Sequence, residues 1–167
     1  KNTGAIPNIR EVYADFKTFA QSSHTKGTNI PDIVDEIYRY SKYYVAIAFL
    51  QEDDEEIRDA LNDLRELKVE VANPFLMEVY DDYKKGLLTR DELVAIIRLI
   101  EGYVFRRAIV GIQTNSLNKT FANLAREIDK NDYFTSVQVA FCAKDSYKRF
   151  PGDDEFKQQF MIKDVYN

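Results

Sequence analysis

The run Thr89-Arg90-Asp91-Glu92-Leu93-Val94-Ala95-Ile96-Ile97-Arg98-Leu99-Ile100-Glu101-Gly102-Tyr103-Val104-Phe105-Arg106-Arg107-Ala108-Ile109-Val110-Gly111 decides the fold. Its first four residues form a capping box: Thr89 can accept from the N–H of Glu92, and Glu92 can reach back. Leu93, Ile96, Ile97, Ile100 and Val104 then recur at spacings of three and four, which places them on one helical face. Arg106 and Arg107 fall in the last turn, where cations suit the helix dipole, and Gly111 supplies the stop. A helix closed at both ends by its own residues still needs partners for its apolar face.

Those partners are also helical. Upstream, Ile9, Val12, Phe16 and Phe19 mark a first helix, and Ile33, Ile37, Tyr40, Tyr44 and Ile47 a second, with Pro31 in its opening turn. Ile57, Leu61, Leu64 and Leu67 form a third, headed by Asp53, Asp54, Glu55 and Glu56. Asn73-Pro74 reads as N-cap and first residue of a fourth, with Leu76, Val79 and Tyr83 inward and Gly86 as its stop. Downstream, Thr114-Asn115 enters a helix carrying Leu117, Phe121, Leu124 and Ile128. Residues 132–143 fit a helix through Phe134, Val137 and Phe141, or a strand through Val137, Val139 and Phe141. With no second strand to pair with, helix is the better reading. Asp153 to Met161 gives a last short helix after Pro151-Gly152. The expectation is an all-α, irregular bundle of seven to eight helices in one domain, residues 1–167, with Gln21 to Asn29 as its most flexible loop.

Composition narrows the chemistry. Of 167 residues 45% are apolar, too many for disorder, and the formal net charge is −5. A single cysteine, Cys142, rules out an internal disulfide and a cysteine-based zinc site, and fits a reducing cytoplasm. A single histidine, His24, rules out an HEXXH helix and an HNH-type nuclease core within this stretch. The longest uncharged apolar piece, Tyr43 to Leu50, is too short to span a bilayer. No membrane partner and no cofactor are expected. The chain opens on Lys1 rather than Met, which leads to the expectation of an interior, excised piece of a longer cytoplasmic protein.

Few residues invite catalysis. The acids at 53–56 diverge around a helix start that needs no metal to explain them. Asp81-Asp82 reads as a solvated face offset by Lys84 and Lys85, His24 as an inert loop residue, and Cys142 as a small buried hydrophobe. Tyr38, Tyr40, Tyr43 and Tyr44 read as bundle packing with hydroxyls at the rim rather than as a base-stacking platform. The stretch from Arg106 to Lys119 is the most unusual. Two arginines close one helix, a glycine turn follows, and Thr-Asn-Ser-Leu-Asn-Lys opens the next, where free N–H groups suit a phosphate. Arg106, Arg107, Asn115, Asn118, Lys119 and Arg126 are the candidate DNA or phosphate contacts, with Arg98 beside them in a basic patch. The alternative is structural: arginines and amides that lock an interhelical turn.

These residues also carry a family likeness. The run Leu99 to Gly111, then Thr114-Asn115-Ser116-Leu117-Asn118-Lys119-Thr120-Phe121-Ala122, resembles the central helical region of GmrSD-type restriction endonucleases. Leu64 to Leu76 upstream and Phe150-Pro151-Gly152-Asp153-Asp154-Glu155-Phe156 downstream agree, as does the closing Lys163 to Asn167. The likeness spans residues 55–167. It implies a modular defence protein with a ParB-like nucleotide-hydrolysing domain before this piece and an HNH nuclease domain after it. No Asp-Gly-Gln run or nuclease histidine cluster occurs here, so no catalytic residue carries over and the piece itself is expected not to be an enzyme. Its implied role is a scaffold or connector, with neighbouring domains of the parent chain as partners and DNA as a further candidate. A helical protein–protein interaction module without a nucleic-acid role stays open beside it.

Overall fold

A computed structural model describes residues 8, 10–21 and 30–163. Among them are eight α-helices and no strand: α1 Val12–Gln21, α2 Ile30–Ala48, α3 Glu55–Glu66, α4 Asn73–Lys84, α5 Arg90–Val110, α6 Leu117–Leu124, α7 Tyr133–Cys142 and α8 Asp153–Ile162. Short 3-10 turns precede α4 (Glu70–Ala72), α6 (Thr114–Ser116) and α8 (Ser146–Lys148). The chain is an irregular all-α bundle. No helix among the described residues is long and apolar enough to cross a membrane.

The central element is α5, about 32 Å long from its 21 residues. It packs against α3, α4, α7 and α8, while α2 lies across α4 and α3. The capping box is formed: Thr89 N–H donates to Glu92 Oε2 at 2.7 Å and Glu92 N–H to Thr89 Oγ1 at 3.2 Å. At the other end Gly111 adopts φ +80°, and the Ile112 N–H donates back to the Arg107 carbonyl at 2.9 Å. Gly86 ends α4 in the same way at φ +74°, with Gly86 N–H on Tyr83 O at 2.9 Å and Leu87 N–H on Asp82 O at 3.0 Å. Around α5 the core is aromatic at one end, where Tyr103 meets Phe141 at 4.7 Å and Phe150 at 5.5 Å between ring centroids. Towards the other end it is aliphatic, with Ile57, Leu61 and Leu64 of α3 buried with Leu93, Ile96 and Ile100.

Several expectations shift. Asn73 is the first residue of α4 rather than its cap, because the 3-10 turn runs straight into the helix and the Asn73 N–H is already taken by Glu70 O. Segment 132–143 is the helix α7, and Val139, the middle residue of the strand alternation, is 60% exposed. Cys142 is exposed, not buried: it follows Phe141, which occupies the core, and so turns outward at the helix end. The inward face of α2 is rotated. Ala46 and Ile47 are buried and Tyr40 and Tyr43 half-buried, whereas Ile37 and Tyr44 stay exposed. In α1 no residue is buried, although Val12 and Phe16 keep the helical spacing. Ile9, His24, most of the loop from Gln21 to Asn29, and the final residues 164–167 lie outside the described residues.

Candidate functional site

The turn between α5 and α6 is held by Arg107. Its side chain is 2% exposed and stacks over the Tyr103 ring, 5.1 Å from guanidinium carbon to centroid. One terminal nitrogen donates to Tyr147 O at 2.8 Å; the other donates to Gln113 O at 2.8 Å and Ser116 Oγ at 2.9 Å. One side chain thus ties the end of α5 to the turn before α6 and to the turn before α8. Tyr103 reinforces the link, donating to Lys148 O at 2.8 Å. Burial pushes the Arg107 guanidinium below its ordinary range, and the nearby Arg149 adds to that.

Arg106 points the other way. It meets Asp153 at 2.5 Å, donates to Pro151 O at 3.3 Å and lies over the rings of Phe156 and Phe150. The guanidinium holds the Asp153 carboxyl below the usual carboxylate range. Arg98 is engaged too, by Asp63 at 2.5 Å and Glu101 at 2.8 Å.

The remaining candidates divide. Asn115 and Lys119 line an open groove of about 600 Å³ with Ser116, Ser146, Tyr147 and Arg149, immediately outside the Arg107 bonds. Asn118 is exposed on the same helix, and Asn115 donates to the Gln113 side chain at 3.3 Å. Arg126 is exposed just beyond the end of α6 and does not line the groove. The structure therefore gathers Arg107, Asn115 and Lys119 around one feature, turns Arg106 away to α8, and leaves Arg126 apart. Arg149 joins the groove although it was not among the candidates; its only sequence signal was a basic residue beside Phe150-Pro151.

A second polar centre was not legible as such. Asp81 and Asp82 are 2% and 3% exposed, not a solvated face. Asp81 accepts from Tyr40 and Tyr43, each at 3.2 Å, and pairs with Lys85 at 2.5 Å and Arg39 at 3.3 Å. Asp82 accepts from Tyr133 at 2.8 Å and pairs with Lys130 at 2.8 Å. Two adjacent carboxylates thus bind α4 to α2 on one side and to α7 on the other. Of the two lysines expected to offset the charge, Lys85 does so, whereas Lys84 lies over the Tyr80 and Tyr83 rings. Arg39 and Lys130 supply the rest. Three tyrosine hydroxyls from other helices donate to the pair, those of Tyr40 and Tyr43 turning onto a buried carboxylate instead of resting at a rim. Burial opposes the charge on Asp81, yet Lys85 and Arg39 outweigh it and hold its carboxyl below the ordinary range.

The acids at 53–56 serve α3. Asp54 caps it, accepting from the N–H groups of Glu56 and Ile57 at 3.1 Å, and Arg90 joins Asp54 and Glu56, each at 2.6 Å. Among the described residues no group of three or more His, Cys, Asp or Glu is placed to hold a metal. Compared with known proteins, the chain matches no family model, no curated protein and no solved structure.

Proposed function

We propose that this chain is a non-catalytic helical connector of a GmrSD-like, DNA-targeting restriction protein, joining a nucleotide-hydrolysing domain to an HNH nuclease domain. The observation that carries the reading is the Arg106–Arg107 joint. The residues of the family likeness are those that fasten three helices together: Arg107 and Ser116 at the α5–α6 turn, Arg106 on Asp153 of α8. A piece that transmits force or register between neighbours needs such a joint more than it needs an active site. The parent would work in the cytoplasm, with DNA reached through the parent and through exposed cations of this region.

Lys119 and Arg126 suit that contact because both are exposed and neither meets a carboxylate of the described residues within ion-pair distance. Arg106 and Arg107 do not suit it as test positions, since Arg107 is buried in the turn it holds and Arg106 is taken by Asp153. The first test is the reading frame on either side of the chain: an Asp-Gly-Gln motif before it and an HNH signature after it are expected, and a frame with neither retires the proposal. The second separates it from the interaction-module alternative. Salt-dependent retardation of duplex DNA by the chain, lost in Lys119→Ala/Arg126→Ala with helicity intact, supports DNA contact; no retardation at low salt favours the interaction module.

A further inference from the structure

The groove beside the α5–α6 turn stands in front of a cation with no counter-ion. Arg107 is 98% buried by its 2% exposure, and its three bonds run to two carbonyls and a hydroxyl, all neutral. No carboxylate among the described residues lies within ion-pair distance of it, and its Nε has no acceptor. Buried charges are ordinarily paired, because an unpaired one retains most of its desolvation cost. All three acceptors that Arg107 holds (Gln113, Ser116 and Tyr147) line the groove, so its charge sits directly behind the groove wall.

The wall itself adds more positive charge. Arg149 lines the groove close enough to repel Arg107, and its one carboxylate, Glu155, is bound at 2.5 and 2.7 Å. Lys119 lines the same space, with no carboxylate partner among the described residues. Hydroxyl and amide donors accompany them from Ser146 and Asn115, and Ser146 is held at φ +48°, in the left-handed region. Three cations against one carboxylate leave a net positive concavity in a chain whose formal net charge is −5.

We propose that this groove binds a phosphate group, with Lys119 and Arg149 as its charged contacts and Arg107 as the fixed charge behind them. A tetrahedral dianion matches the charge and the mixed amide, hydroxyl and guanidinium donors. The site does not depend on the connector reading. The phosphate can belong to a DNA backbone or to a free phosphate compound, and the test distinguishes them.

The probe is inorganic phosphate, titrated into the isotope-labelled chain against sodium chloride of equal ionic strength. The site predicts saturable amide shifts confined to 113–119 and 146–149, together with a melting temperature that rises with phosphate. Lys119→Glu, on an exposed position, keeps the fold and weakens phosphate by about tenfold or more, the scale of one lost charge contact. Because Arg107 also holds the turn together, its variants would mix stability with binding, and Lys119→Glu carries the comparison. Shifts that never saturate, that spread over surface lysines generally, or that persist unchanged in Lys119→Glu overturn the site. A short DNA duplex shifting the same amides assigns the phosphate to a nucleic-acid backbone; a response to inorganic phosphate alone assigns it to a free phosphate ligand.

Discussion

Arg107 shows how one residue can be decisive and yet ambiguous until its surroundings are known. Two arginines at the end of a helix suit the dipole whichever way they point, so the choice between phosphate contact and interhelical lock could not be made from spacing. The structure gives Arg107 the lock and Arg106 an ion pair across to α8. Replacing Arg107 by Met leaves two carbonyls and a hydroxyl at the groove wall without their donor. That should cost about 3 kcal/mol, read as a lower urea midpoint with unchanged slope. Arg106→Ala, at a solvent-facing pair, should move the midpoint much less.

The buried Asp81 sets a pH dependence of definite sign. Its folded-state carboxyl is held below the ordinary range, so its contribution is present above about pH 4 and is lost as pH falls through the folded value. At the alkaline end the signs reverse. Burial first, and then Glu78, Glu52 and Asp82, raise the phenols of Tyr40, Tyr80 and Tyr133 respectively above their ordinary range. Their contribution is full below about pH 10 and declines above it. Denaturant midpoints across pH should therefore fall at both ends. Asp81→Asn should flatten the acid limb, and Tyr133→Phe the alkaline one.

At the scale of elements, legibility followed local chemistry. The capping box at Thr89, the glycine stops at Gly86 and Gly111, and the acidic start of α3 are all interactions within one or two turns, and all are formed. Faces were harder. On α2 the face that packs carries Ala46 and Ile47 together with Tyr40 and Tyr43, whose hydroxyls meet Asp81 of α4, a partner that spacing within α2 does not show. Asp81-Asp82 misled for the same reason: a carboxylate's burial depends on distant hydroxyls that spacing does not reveal. The two helix stops make a clean prediction. A Cβ at Gly86 or Gly111 would meet nothing within 4 Å, so only backbone strain opposes it. Gly111→Ala should cost about 1 kcal/mol, and Gly111→Asn less, in thermal melts.

At the scale of the whole molecule, the class of fold was readable because helical periodicity recurs along most of the chain, while its use was not, because arginines and carboxylates that fasten helices are the same residue types as those that contact a ligand until their partners are known. The eight helices form a body whose buried charged groups are spent on fastening helix to helix: Arg107 around α5, Asp81 and Asp82 around α4. The connector account turns on coupling. The direct measurement follows nucleotide hydrolysis and DNA cleavage together in the proposed parent protein, intact and with the proposed neighbouring domains supplied as chains separated from this one. The account predicts that hydrolysis survives separation and nucleotide-dependent cleavage does not. Separated domains that cut DNA as well as the intact protein would contradict it.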